Sequence, residues 1–225
     1  MMQSAKKIIK VVVVKVLGRQ LFSRLSYQIY LIIARFRTYL NLRKLPQQNL
    51  LLQIGCGYRP LKNWVNLDKV FGYADIVWNV TRSLPFKSNS VQAIFCEHVI
   101  EHLNKPDGFK LVVECFRVLQ PGGVARFSTP DAEKYLNSYT KRDSYSFIPG
   151  KFDSNLIYMD VINMVMRENG EHHWLYDRES IYDVFRKAGF NQISHAVYGE
   201  SIHVEMYNID SPERAYESLY IEAVK

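Results

Sequence analysis

A short apolar run that ends in a glycine turn places the strongest limit on how this chain can fold. The run Leu50–Ile54 (LLLQI) leads directly into Gly55-Cys56-Gly57. A sequence of this kind is typical of a buried parallel strand that enters a tight turn. Parallel strands need long crossover connections, which are usually helices. The run therefore predicts an α/β fold.

Similar short runs recur along the chain, and helical patterns separate several of them. The six further strand candidates are residues 65–68, 75–80, 91–96, 124–128, 193–198 and 219–224. Strands that alternate with helices predict a doubly wound α/β fold with a mainly parallel sheet of the seven-stranded type. Tyrosine-rich helical patterns interrupt this order after the fifth strand, and they predict a helical insertion, a lid, over residues 132–172.

Two helices have clear boundary signals. The helix that begins near Pro106 must stop at Pro121-Gly122-Gly123, because proline and paired glycines disfavour its continuation. Another helix follows Asp177, which suits the N-cap, and ends before Gly189, which suits the position after the C-cap.

The net positive charge of the chain comes from its first third. Residues 1–67 contain 12 Lys/Arg and no Asp or Glu, whereas residues 68–225 contain 17 Lys/Arg and 22 Asp/Glu. The body is therefore mildly acidic, which argues against a nucleic-acid partner for the whole protein.

The basic segment, residues 1–45, is interpreted as an amphipathic helical leader that precedes a domain over residues 46–225. Apolar residues recur at near-helical spacing from Leu21 to Leu40. The earlier apolar run, from Ile8 to Leu17, is too short to span a bilayer. Three interpretations remain: helices packed on the body, a helix lying on an anionic membrane, or a cryptic signal anchor.

The three cysteines favour a reducing compartment. Cys56, Cys96 and Cys115 are odd in number and all lie in apolar surroundings, so a disulfide framework is not expected. The sequence predicts a cytoplasmic protein, held at the inner face of the membrane if the leader binds lipid.

Polar and glycine residues follow the predicted strands where a ligand would bind. In open parallel sheets, ligands bind beyond the carboxyl ends of the strands. Those ends carry Gly55-Cys56-Gly57, Asp68, Asn79 and Glu97-His98. A glycine turn permits close approach of a cofactor, and a carboxylate can accept both hydroxyl protons of a ribose. The set predicts an adenosine-bearing ligand.

The stretch EHVIEH also matches a zinc-peptidase signature, H-x-x-E-H from His98 to His102. That signature needs one continuous helix and a third protein ligand. Here it follows a strand directly, and Asn104-Lys105-Pro106 ends any helix soon after it. We therefore expect a strand-to-helix turn and no metal. A nicotinamide site is disfavoured because Pro60 occupies the third glycine position of G-x-G-x-x-G.

Four segments together resemble a known family. LLQIGCG, WVNLD, LPFKSNSVQAIFCEHVIEHL and VLQPGGVARFSTPD are similar to class I S-adenosylmethionine-dependent methyltransferases, closest to the methyltransferase type 11-like proteins. The resemblance runs from about residue 49 to the end of the sequence. It implies a Rossmann-like methyltransferase fold with S-adenosylmethionine as cofactor.

The resemblance also implies roles for individual residues. The Gly55-Cys56-Gly57 turn would line the methionine and ribose of the cofactor, and Asp68 would accept the ribose hydroxyls. Asn79 would lie beside the adenine, and Glu97 and His98 would flank the sulfonium. Asp68 as a strand-end cap and Asn79 as a turn former remain alternatives. The sequence departs from the family because Tyr58-Arg59-Pro60 replaces the third glycine. Only ten residues separate Gly57 from Asp68, so the first helix must be short or absent.

Methyl transfer to a hydroxyl needs a base, and neutral histidine suits that role. His98 is the first candidate and His173 the second, although His172 and His173 could instead bond to backbone. Glu101 and His102 could equally fix the turn. By resemblance, the acceptor is a small molecule, a sugar or a lipid-linked glycan. A non-catalytic protein that binds a ligand or a partner is the alternative.

Overall fold

The computed structural model describes residues 19–70, 72–143, 145 and 157–225, with side chains described from residue 24. The chain divides into two compact units, Met1–Lys44 and Leu45–Lys225. In the first unit, helix α1 spans Arg19–Lys44. The predicted leader residues before Arg19 lie outside the described part of the chain.

The second unit contains a seven-stranded sheet. Its strand order is β3-β2-β1-β4-β5-β7-β6, and β7 runs antiparallel to both of its neighbours, while β1 to β5 are mutually parallel. The predicted mainly parallel sheet is confirmed. The strands are β1 Leu50–Ile54, β2 Val65–Asp68, β3 Ile76–Val77, β4 Val91–Glu97, β5 Leu119–Pro130, β6 Gln192–Ala196 and β7 Ser218–Val224.

The central strands are apolar almost throughout because both faces of the sheet are covered. Leu52, Ile54 and Ile94 have no exposed surface. Helices α2 (Lys105–Val118) and α5 (Arg178–Ala188) pack against each other beside the sheet. Burial of these side chains supplies most of the free energy that favours folding.

The start of α2 and both ends of α5 follow the predicted signals, whereas α2 ends at Val118, before the predicted stop at Pro121-Gly122-Gly123. Asn104 caps α2 by accepting from the Asp107 amide, and Pro106 lies in the first turn. Asp177 and Ser180 form a capping box at the start of α5. Gly189 follows α5 with φ of 112°, a left-handed conformation that favours glycine.

The connection from β1 to β2 contains no helix, as the short spacing predicted. Side-chain amides replace the missing helical hydrogen bonds. Gln53 donates to the Arg59 carbonyl at 3.1 Å and accepts from the Leu61 amide at 2.9 Å. The Asn66 amide group donates to the carbonyls of Leu61 and Trp64.

Two strands differ in length from their predictions by more than two residues. β3 has only Ile76 and Val77 instead of residues 75–80, because its partner β2 ends at Asp68, which pairs with Val77. β5 begins at Leu119 instead of Val124, because Leu119 pairs with Val91 of β4 before the proline-glycine turn and Val124 pairs with Ala93 after it.

Two helices follow β5 in the segment predicted to be an insertion. Helix α3 spans Ala132–Lys141 and α4 spans Tyr158–Arg167. They share a buried cluster that includes Tyr135, Val161 and Ile162. Residues 144 and 146–156 of this segment lie outside the described part.

A buried arginine connects the sheet to the loop that precedes β7. Arg126 of β5 has no exposed side-chain surface, and it donates to Asp210 (2.9 and 2.5 Å) and to Glu222 (2.7 Å). It also donates to the carbonyls of Val197 and Glu200. Burial alone lowers the pKa of Arg126, but the hydrogen bonds and charges of the two carboxylates raise it overall.

Candidate functional site

Strand register brings three predicted site residues to one level at the carboxyl edge of the sheet. Ile54 pairs with Leu67 of β2 and with Cys96 of β4. The following residues, Gly55, Asp68 and Glu97, therefore stand side by side. Neighbouring strands lie about 4.8 Å apart, so the two carboxylates flank the glycine turn.

The two glycines of the turn serve different purposes. Gly55 has φ of 75°, and a Cβ there would overlap Cγ2 of Val99, so glycine is required for packing. Gly57 has φ of 49°, and no described atom lies within 4 Å of the position where its Cβ would be. The outer half of the turn thus faces open space, which fits a cofactor approaching the backbone.

The Asp68 carboxylate is bonded to the same turn. Its Oδ2 accepts from the Gly57 amide at 2.9 Å, and its Oδ1 accepts from the Val70 amide at 2.9 Å. Each carboxylate oxygen can accept more than one hydrogen bond. Asp68 can therefore hold the turn in place and accept further hydroxyl protons.

Cys56 can contribute only its backbone to a ligand. Its residue surface is 2% exposed, and burial, with the charge of Asp68, raises the pKa of the thiol to about 12. The thiol therefore stays protonated. All three cysteines are buried and free, as predicted.

Asn79 is exposed and forms a local turn. Its Oδ1 accepts from the backbone amide and the hydroxyl of Thr81, both at 3.0 Å. This is the arrangement that the turn-former alternative describes. It leaves the amide nitrogen of the side chain as the group available to a ligand.

Glu97 lies under the loop that precedes β7. One oxygen accepts from the Ser211 amide at 2.8 Å, and the other accepts from the Ser211 hydroxyl. Arg59, from the loop after the glycine turn, also donates to the Ser211 hydroxyl and lies 3.9 Å from Glu97. Three distant parts of the sequence thus meet at the end of β4.

His98 is held between two side chains. Its Nε2 lies 2.7 Å from the Ser218 hydroxyl, and its Nδ1 lies 3.1 Å from Oε1 of Glu101. The ring is nearly buried, and the backbone has φ of 50°. Residues other than glycine seldom adopt this conformation, except at constrained positions.

Glu101 is fully buried behind His98. Burial by itself raises the pKa of its carboxyl, but hydrogen bonding and charge from His98 lower it overall. The carbonyl of Glu101 accepts from the amides of His173 and Trp174. The His173 side chain is exposed, so its observed contact with this region is through the backbone.

The H-x-x-E-H stretch forms a strand-to-helix turn, as predicted. Only Ile100–His102 is helical, in a single 3-10 turn. His98 faces Ser218, whereas His102 lies beside His172 with ring centroids 4.9 Å apart. The two histidines of the motif therefore do not share the face of a helix.

A cleft of about 180 Å³ lies beyond the end of β5, between that strand and helix α4. Glu217 accepts from the Tyr135 hydroxyl at 2.9 Å and from Arg214 at 3.0 Å. The wall includes apolar and polar side chains: Pro130, Met164, Val165, Glu168, His172 and Arg214.

Sequence reasoning missed several of these residues. Ser211 and Arg214 lie in a segment without a motif, and Ser218 begins β7, whose pairing with β5 brings it to the site. Of the neighbouring histidines, His172 rather than His173 lines the cleft. The tyrosine-rich insertion that precedes His172 is the only sequence feature noted above that points to this part of the chain.

Comparison with known proteins gives one family match. Residues 59–127 match the model of the methyltransferase domain, methyltransferase type 11. No curated protein matches this sequence.

Solved structures of similar overall fold are distant in sequence. A SAM-dependent methyltransferase from Archaeoglobus fulgidus is 16% identical, with a TM-score of 0.48, over 87% of this chain and 93% of that one. One from Thermotoga maritima is also 16% identical, with a TM-score of 0.47, over 89% and 95%. One from Mesorhizobium loti is 14% identical, with a TM-score of 0.47, over 82% and 95%.

Identities and TM-scores of this size describe only a distant likeness of fold. The matched residues include Asp68 and the EHVIEH stretch, two parts of the sequence that carried the resemblance. The seven-stranded α/β unit from Leu45 to Lys225 therefore contains a segment, residues 59–127, that is similar to methyltransferase domains.

Proposed function

We propose that this protein is a class I S-adenosylmethionine-dependent methyltransferase, with S-adenosylmethionine as its cofactor, and that it methylates a hydroxyl oxygen of a small-molecule, sugar or lipid-linked acceptor. The observation that carries the proposal is the position of the cleft. Pro130 ends β5, and β5 is paired with β4 up to the level of Glu97 and Ser128. The cleft therefore opens at the same edge of the sheet as the glycine turn and His98.

The proposed cofactor residues are the backbone of Gly55-Cys56-Gly57 and the side chains of Asp68, Asn79 and Glu97. S-adenosylmethionine supplies an electrophilic methyl group on a sulfonium. The chain's own contribution is to hold donor and acceptor in line, since positioning accounts for much of the barrier lowering in such displacements.

His98 is proposed as the general base. As the acceptor oxygen is methylated, its proton would pass to Nε2 of His98, which must first release the Ser218 hydroxyl. The Glu101 carboxylate, 3.1 Å from Nδ1, would stabilise the resulting imidazolium. His173 remains a second candidate if the proposed lid moves over the site.

The lining of the cleft supports an acceptor with both apolar and hydroxyl-bearing parts. Met164 and Val165 offer apolar surface, while His172, Arg214 and Glu217 offer hydrogen-bonding groups. Sugars and lipid-linked glycans combine these properties. Residues 132–172 are proposed as the lid over this cleft.

Replacement of Asp68 tests the cofactor site. We expect Asp68→Ala to weaken S-adenosylmethionine binding, because the ribose hydroxyls lose an acceptor worth about 1.5–3 kcal/mol for each hydrogen bond to a charged group. Calorimetric titration with S-adenosylmethionine and with its demethylated product measures the change.

Asp68→Asn is the matched variant, since it keeps one acceptor oxygen for the Gly57 amide but loses the charge. Weaker binding in both variants supports the ribose contact. Normal binding in Asp68→Asn would instead assign Asp68 to the support of the turn. Binding by wild type without methylation of any hydroxyl compound would favour the non-catalytic alternative.

We also propose that the leader, residues 1–45, binds an anionic membrane surface from the cytoplasmic side. Helix α1 has exposed arginines and no acidic residue, and Ile29, Ile32 and Phe36 are exposed beside them. Such a helix can lie at the headgroup boundary. Among the described residues, no helix combines the length and apolar content needed to cross a membrane.

Removal of helix charges tests this proposal in the full chain. Changing Arg24, Arg35, Arg43 and Lys44 to Gln should weaken sedimentation with anionic vesicles by up to about a thousandfold, since each charge adds about 1 kcal/mol. High salt should act in the same direction. The control changes four exposed lysines of the body, Lys62, Lys69, Lys110 and Lys187. Equal loss in both variants would refute a specific role for the helix.

A further inference from the structure

Two histidines and two glutamates meet at the wall of the cleft. One ligand atom from each of Glu101, His102 and His172 lies within 4.8 Å of the others. Glu168 extends the group, because its Oε2 lies 2.7 Å from Nε2 of His172 and 3.9 Å from Nε2 of His102. From this geometry we infer a binding site for one divalent first-row transition metal ion, which the sequence did not predict.

The hydrogen bonds of the two rings favour metal binding. Nδ1 of His172 lies 2.6 Å from the Val165 carbonyl, and Nδ1 of His102 lies 3.2 Å from the Glu171 carbonyl. A carbonyl can only accept, so each Nδ1 carries a proton. A metal ion bound at Nε2 of His172 would take the place of the proton that this nitrogen shares with Glu168. Metal-binding histidines are usually fixed by a second hydrogen bond of this kind.

Glu101 supplies an independent observation. Its side chain is fully buried, and Nδ1 of His98 lies 3.1 Å from its Oε1. Its Oε2 accepts from the Thr129 hydroxyl at 3.2 Å, a long hydrogen bond. A buried carboxylate with unused lone pairs is costly unless a positive charge satisfies it.

The ligand types indicate the metal class. Imidazole nitrogens combined with carboxylate oxygens suit zinc, iron, cobalt and manganese better than magnesium or calcium. Bonds of about 2.0–2.2 Å place two ligand atoms at most about 4.4 Å apart. The group must therefore contract slightly, which rotation of the partly exposed Glu168 and His102 side chains allows.

The position of the group suggests what the ion would do, and this part rests on the proposed function. Glu168 and His172 also line the cleft. A cation at that wall would attract an acceptor rich in oxygen atoms, such as a sugar, and would orient its hydroxyl toward His98. Metal binding itself does not depend on that role.

Titration of the full, tag-free chain with Co²⁺ tests the site. After treatment with a chelator, we expect one Co²⁺ per chain, with visible absorption bands of a nitrogen–oxygen site and no thiolate band. Zn²⁺ should displace the Co²⁺. His172→Gln and Glu168→Gln should each weaken binding at least about tenfold. The matched control, His195→Gln, removes a histidine of β6 and should bind like wild type.

The possible results separate this inference from the methyltransferase function. If wild type binds no stoichiometric Co²⁺ or Zn²⁺, or if His195→Gln loses binding as His172→Gln does, the metal site is refuted. Glu168 is partly exposed, so Glu168→Gln should stay folded and its result does not depend on a buried substitution. S-adenosylmethionine binding, measured in the same samples, should be unchanged in all three variants, and its absence in wild type would count against the proposed function alone.

Discussion

Arg126→Met is expected to lower the free energy of unfolding by about 3–5 kcal/mol, because it leaves the buried carboxylates of Asp210 and Glu222 without their positive partner. Methionine fills a similar volume, so little of the loss should come from a cavity. A change of this size is a large part of the total stability of a typical domain. Urea denaturation followed by circular dichroism measures it.

Arg186→Met is the control, since Arg186 is exposed and its bond to Asp183 lies on the outer surface of α5. Exposed ion pairs contribute about 0–1 kcal/mol. If Arg126→Met loses no more stability than Arg186→Met, the buried network does not hold the loop to the sheet. The loop carries Ser211, so we also expect Arg126→Met to loosen the contacts of Glu97.

His98→Asn is expected to lower kcat by about 10²–10⁴-fold, the usual contribution of a general base. Asparagine tolerates the left-handed backbone at this position better than most residues. The affinity for S-adenosylmethionine should change little, because the proposed cofactor contacts come from other residues. Turnover and binding are measured on the same preparation, at a temperature where circular dichroism shows both proteins folded.

Comparison with a second histidine variant tests whether the effect on turnover is specific to His98. His195→Asn controls for the loss of a histidine elsewhere. Normal turnover in His98→Asn would refute the general-base role and leave positioning as the source of catalysis.

Local signals explain why much of the fold could be predicted from the sequence. β1 and β2 are apolar runs that end at a glycine or a carboxylate, and the ends of α5 are marked by Asp177 and Gly189. Each of these features depends on neighbours a few residues away. The bounds of the two-residue β3 were harder to predict, because its end is set by the end of another strand, β2, at Asp68.

The site depends more on contacts between distant residues. His98 and Ser218 are 120 residues apart, and Glu97 and Ser211 are 114 apart. Nothing in the sequence near either serine indicates these contacts, which arise only when β7 pairs with β5. The H-x-x-E-H motif presents His98 and His102 as a pair, whereas in the structure His102 lies beside His172.

The antiparallel strand β7 has a consequence for how the protein emerges from the ribosome. β7 is the last strand of the sheet to be synthesised, yet it separates β5 from β6. β6 therefore has no hydrogen-bonding partner until residues 218–224 appear, about 1–5 s later at 5–20 residues per second. The side chain of Arg126 likewise lacks its two carboxylate partners until Asp210 and Glu222, which lie 84 and 96 residues further on, are synthesised. During that interval the edge of β5 is open to pairing with other nascent chains.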